Sequence, residues 1–117
     1  IDTIENMNKD NIARGIADIN NFNKEECINK TNNALLKTVI LGENCTNIGR
    51  CDFAICKALK AFICRATTPP SLNYQAFNES NSTFLIYVPD DSVTAYREAS
   101  VWKSYGSRIK PLSEYVE

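Results

Sequence analysis

Leu36-Lys37-Thr38-Val39-Ile40-Leu41 is followed, twenty-three residues on, by Leu59-Lys60-Ala61-Phe62-Ile63-Cys64, and this recurrence decides the reading of the fold. The spacing holds around it. Ile48 to Phe53 returns as Leu72 to Phe77 after twenty-four residues, and Phe62-Ile63-Cys64 returns as Ile86-Tyr87-Val88 after the same interval. A period in the twenties marks a chain whose unit is one strand plus a return segment, stacked so that neighbouring units share a core. Four matches in order, with residue types kept, predict an α/β chain. Its centre is a short solenoid of about three rungs with a parallel strand face.

Neighbouring side chains on a strand point to opposite faces. With Leu36, Val39 and Leu41 turned inward, the repeat assigns the core to these three and to Ile48, Phe53, Cys56, Leu59, Phe62, Cys64, Leu72, Phe77, Ile86 and Val88. Phe53 and Phe77 occupy equivalent positions and are expected to stack. Thr38 and Ile40, Ala61 and Ile63, and Leu85 and Tyr87 then point outward. They form two columns, Thr38-Ala61-Leu85 and Ile40-Ile63-Tyr87, with Lys37, Lys60 and Arg65 along the margin. This face, including Arg65, is the candidate binding surface, because aromatics and arginine are the types that most often carry binding energy. Strand propensity alone also favours β-branched and aromatic residues there.

The flanks read as end pieces of one compact domain: residues 1–34, then repeats over 35–89, then 90–117. Ile1, Ile4, Ile12, Ile16, Ile19 and Phe22 recur at the helical period. They predict an N-terminal amphipathic helix, most firmly from Asp10 to Asn21. It would cover the open edge of the first rung or contact another chain. Thr67-Thr68-Pro69-Pro70 cannot be helical, because proline restricts the residue before it. Beyond Pro89, Asp90 or Asp91 is placed to cap a helix with Val93, Tyr96 and Ala99 inward. Val101, Trp102, Tyr105 and Ile109 extend that apolar surface to Pro111. This is the predicted C-terminal helical cap, with Trp102 buried against the last rung.

The stretch LKTVILGENCTNIGRCDFAICKALKAFICRATTPPSLNYQAF resembles the BspA-like leucine-rich repeats of bacterial surface proteins. Leu36, Val39, Leu41, Ile48, Gly49, Phe53, Cys56 and Leu59 occupy the positions of that pattern. Asp52 departs from it, standing where the family usually has alanine. IYVPDDSVTAYREASVWKSYGSRIKPL is similar to the C-terminal end of such proteins, and residues 1–34 match nothing in them. The resemblance implies a non-enzymatic repeat module that binds protein or cell-surface ligands in adhesion, at an extracellular or cell-surface location. The alternative it leaves open is a structural end piece or assembly subunit, such as part of a larger surface protein or a phage appendage. Contact with another copy or with preceding repeats belongs to that reading. Asp2-Thr3-Ile4 and Asp91-Ser92-Val93 look like the O-glycosylation acceptor seen in exported proteins of Bacteroidetes-type bacteria, which marks Thr3 and Ser92.

Charge and composition narrow the choice. A net charge of −1 gives no electrostatic case for nucleic acid or an anionic membrane. There is no apolar run long enough to span a bilayer, and no signal peptide is visible. With no histidine in the chain, a Ser-His or Cys-His pair cannot form. Asp90 and Asp91 are adjacent on a helix start and cannot converge on one bond as paired glycosidase carboxylates do. No phosphate-cradling glycine loop is present. No catalytic residue, metal site or cofactor is therefore assigned.

Of the five cysteines, Cys27, Cys45, Cys51, Cys56 and Cys64, none lie at C-x-x-C spacing. An odd count leaves at least one unpaired. Cys56 and Cys64 fall on inward positions and read as buried thiols, with a disulfide involving Cys45 or Cys51 as the alternative. Asn29, Asn44, Asn78 and Asn81 begin Asn-x-Ser/Thr triplets, which an asparagine-rich chain also generates by chance.

Overall fold

The computed structural model describes residues 16–19, 37–50 and 53–116, the first of these as backbone only. Seven strands are described: β1 (Ile16–Ile19), β2 (Thr38–Leu41), β3 (Asn47–Ile48), β4 (Ala61–Cys64), β5 (Ser71–Leu72), β6 (Leu85–Val88) and β7 (Ile109–Pro111). One short α-helix, α1 (Val93–Glu98), lies between β6 and β7. Tighter 3-10 turns flank it at Asp90–Ser92 and Trp102–Arg108, and a third follows at Leu112–Glu114.

The strands form a small α/β fold around a parallel sheet in the order β1-β2-β4-β6-β7, with β3 and β5 pairing in a second, two-stranded sheet. Parallel neighbours need a crossover between them, and from β2 to β4 and from β4 to β6 that crossover is one return segment. The register follows the repeats seen in the sequence. Val39 sits beside Phe62 and Phe62 beside Ile86, while Ile48 sits beside Leu72 in the second sheet.

Backbone bonds continue that register beyond the strands. Lys60 N–H donates to the Lys37 carbonyl at 2.8 Å, and Leu85 N–H to the Lys60 carbonyl at 2.9 Å. On the return side Phe53 N–H donates to Ala76 O at 2.9 Å and Ile55 N–H to Asn78 O at 2.8 Å. Irregular backbone must satisfy its donors and acceptors when it is buried, and these bonds do so segment to segment.

The core lies between the two sheets. Every described residue assigned to it from the sequence is buried there, Trp102 included; Leu36 lies outside the described residues. The rings of Phe53 and Phe77 stack with centroids 6.1 Å apart and planes at 22°. Phe62 meets both edge-on, at 5.2 and 4.8 Å. Such edge-to-face pairs add to plain area burial because a ring edge is positive and its face negative.

Two expectations are corrected. Ile16–Ile19 is a strand paired with Thr38–Leu41, so the helix predicted over Asp10 to Asn21 does not exist there. Ile16 and Ile19 fit a helical stripe by spacing, but β-branched residues beside an unpaired strand edge gain ladder hydrogen bonds as a strand. The rest of that predicted helix lies outside the described residues. At the other end, the helical segment does not close the sheet. The chain comes back after Arg108 as β7, pairing Ile86 with Ile109 and Val88 with Pro111.

The positive-φ residues include Ile55 and Glu79, at 60° and 59°. They stand at matching points of successive return segments, so the same left-handed kink is made in both. For β-branched Ile55 that conformation is strained.

Candidate functional site

The outer face of the main sheet is built by alternation. Val39, Leu41, Phe62, Cys64, Ile86 and Val88 are spent on the core, which leaves Thr38, Ile40, Ala61, Ile63, Leu85 and Tyr87 on the other side. The register aligns Thr38 with Ala61 and Ala61 with Leu85 in one row, and Ile40 with Ile63 and Ile63 with Tyr87 in the next. Strand β7 extends the second row with Lys110, a residue the sequence reading did not include.

The face is less open than expected. Ala61 and Ile63, on the central strand, are only 6% and 3% exposed, so they form a floor rather than projecting ligands. Thr38, Ile40, Leu85 and Tyr87 are half-buried, and Arg65 is exposed. One cause lies in the segment after β7. It crosses the end of the sheet and sets the Tyr115 ring against Tyr87, centroids 5.0 Å apart and planes at 66°. Asp90 latches this segment by accepting the Ser113 N–H at 3.0 Å. That bond holds the Asp90 carboxyl below the usual carboxylate range.

A groove of about 670 Å³ remains between sheet and tail, lined by Thr38, Ile40, Ile63, Arg65, Leu112, Tyr115 and Val116. The sequence reading found the first four of these and missed the last three. Their signal was the apolar set Leu112, Tyr115 and Val116 beyond Pro111, which no repeat position explained.

The charged residues on and beside β2, β4, β6 and β7 are cationic. Lys37, Lys60 and Arg65 flank β2 and β4 and are exposed, and Lys110 lies on β7. Strands β2, β4, β6 and β7, with the residues directly flanking them, contain no acidic side chain. Asp18 on β1 takes the register position next to Ile40.

Polar groups elsewhere serve the fold. The Tyr96 hydroxyl donates to Ala66 O at 2.6 Å and lies 3.3 Å from Cys64 Sγ. Burial raises the Tyr96 pKa well above its ordinary value. Ser80 Oγ donates to Phe53 O at 2.6 Å and accepts the Cys56 N–H at 2.9 Å, joining residues twenty-seven and twenty-four apart. Arg108 stacks over Phe84 at 4.2 Å and Tyr105 at 5.3 Å, with its Nε donating to Phe84 O at 2.9 Å. Ser92, marked from the sequence as a glycan acceptor, is 6% exposed and its hydroxyl donates to Thr67 O at 2.8 Å. Thr3 lies outside the described residues.

Among the described residues no group of three or more His, Cys, Asp or Glu side chains converges on one point. No helix among them is long and apolar enough to cross a membrane. No protein-family model matches the chain, and no curated protein matches it.

Proposed function

We propose that this chain is a leucine-rich-repeat solenoid of the BspA-like type, acting without catalysis as a protein-binding module at an exported or cell-surface location. The sequence resemblance gives the family. The parallel strands at near-constant spacing, the hydrogen bonds between matching points of successive return segments and the Phe53–Phe77 stack support the solenoid.

The carrying observation for function is the groove between the Ile40-Ile63-Tyr87 row and the tail, lined by Ile40, Ile63, Leu112 and Tyr115 with Arg65 beside them. Its occupant is a protein segment bearing apolar side chains beside carboxylates. The apolar part fills the groove over Ile40 and Ile63, and a carboxylate meets Arg65. Arginine suits this role because its planar fork pairs with a carboxylate through two hydrogen bonds.

The test is to pan a displayed random-peptide library on the full chain and on Arg65→Glu. The proposal expects enriched peptides that combine acidic with apolar residues and lose binding to Arg65→Glu. Enrichment of basic peptides, or binding that Arg65→Glu leaves unchanged, overturns it.

A further inference from the structure

Cys45 follows β2 in the turn whose N–H donates to Gly42 O at 3.3 Å, and Cys64 ends β4 opposite Leu41. Repeat spacing does not relate these two cysteines. The fold nonetheless brings their thiols into hydrogen-bond contact, both inside the core, at 4% and 0% exposure. Their sulfurs are not joined. The third described cysteine, Cys56, points its thiol at Ala54 O instead, at 3.7 Å.

We propose that Cys45 and Cys64 are a modification site: in an oxidising compartment they close a disulfide that staples the turn after β2 to the end of β4. The co-reactant is a small-molecule disulfide. One cysteine thiolate attacks it, forming a mixed disulfide and releasing one thiol. The second cysteine thiolate then attacks the protein sulfur of that mixed disulfide and releases the other thiol. Two protein thiols are oxidised, the external disulfide is reduced to two thiols, and two protons pass to the products.

Three features of the site suit this step. The two thiols lie within hydrogen-bond reach of one another, both in the same core cluster, the proximity that a disulfide requires. Hydrogen bonding from Cys45, against the opposing effect of burial, holds the Cys64 thiol below its ordinary range, and the thiolate is the attacking species. The neighbouring Tyr96 hydroxyl gives Cys64 Sγ a second polar contact at 3.3 Å. Because both sulfurs lie in the core, the exchange with the external disulfide takes place as the chain folds, and the closed bond then lies away from external reductants. The link fixes one turn of chain to the next, which restricts the unfolded ensemble most directly where the repeats must stack.

The test uses the full chain refolded in a glutathione redox buffer, alkylated under denaturing conditions and digested. The expected result is one peptide pair joined through Cys45 and Cys64, an intact mass lower by two hydrogens, and a melting midpoint that falls when the bond is reduced. The variant Cys45→Ala, which keeps Cys64 and its Tyr96 contact, is expected to lose both the link and that redox-dependent shift. If Cys45 and Cys64 are both alkylated after refolding in the oxidising buffer, or the mapped bond joins either of them to Cys27, Cys51 or Cys56, the proposal is wrong. The wild-type map decides this even if the variant folds poorly.

Discussion

Trp102 Nε1 donates its hydrogen to the carbonyl of Pro70 across 2.8 Å, joining the 3-10 turn that precedes β7 to the proline-rich return after β4. Pro70 ends the Thr67-Thr68-Pro69-Pro70 stretch that proline keeps extended, so its carbonyl has no helical partner. Ser92 and Tyr96 bind the same return through Thr67 O and Ala66 O. Three side chains from one stretch thereby satisfy three carbonyls of another. The Tyr96 and Trp102 rings meet edge-to-face 5.0 Å apart.

Replacing Trp102 separates packing from hydrogen bonding. Trp102→Phe keeps much of the ring and leaves Pro70 O unsatisfied, an expected loss of about 1–3 kcal/mol. Trp102→Ala also opens a cavity and is expected to cost about 3–5 kcal/mol. Denaturant unfolding of both variants checks the order; a Trp102→Phe loss near zero would mean the hydrogen bond contributes nothing, and equal losses would mean the packing adds nothing to it.

Phe53 is fully buried and touches Phe62 and Phe77 at once. Phe53→Ala is expected to destabilise by about 3–5 kcal/mol, a large share of a small domain's stability. Thermal unfolding gives the answer, and a midpoint within a degree or two of the parent would contradict the stack.

Ile55 is 51% exposed and held at φ 60°. Asparagine tolerates this region far better than a β-branched residue. Ile55→Asn is therefore expected to stabilise by about 1 kcal/mol, since little buried area is lost. Urea midpoints compare the two proteins, and a lower midpoint for the variant would show that the Ile55 side chain matters more than its backbone strain.

Burial pushes the Cys56 thiol up from 9.0 to about 11, only partly opposed by its hydrogen bond with Ser80. A folded value above the unfolded one means that the neutral thiol stabilises the fold. That stability is fully present below pH 9 and is lost as pH rises through 11. Cys56→Ala is expected to flatten this part of the stability–pH curve. An unchanged slope would assign the alkaline loss to Tyr96, whose raised pKa acts in the same direction.

The centre of the fold was legible because its information is periodic. Offsets between Leu36–Leu41 and Leu59–Cys64 and between Ile48 and Leu72 reappear as strand register. The ends were not legible for the same reason. Ile16–Ile19 carries apolar residues at a spacing that suits helix and strand equally, and only the free edge of β2 selects the strand. Ile109–Pro111 is too short to signal a strand, and its proline argues against one except at an edge, which is where β7 lies. At the candidate site, alternation gave the columns but not the depth of Ile63, because that depends partly on Tyr115 and its neighbours folding back. The contact between Cys45 and Cys64 joins a turn to a strand end and leaves no periodic trace.

The central claim is that a partner sits on the Ile40-Ile63-Tyr87 row. It is tested most directly by titrating a peptide enriched in the panning into protein labelled at isoleucine methyl groups. The account predicts saturable shifts of Ile40 and Ile63 at the groove, with Ile55 on the exposed return side unmoved. Shifts at Ile55 with Ile40 and Ile63 unmoved would place recognition on the return segments and contradict it.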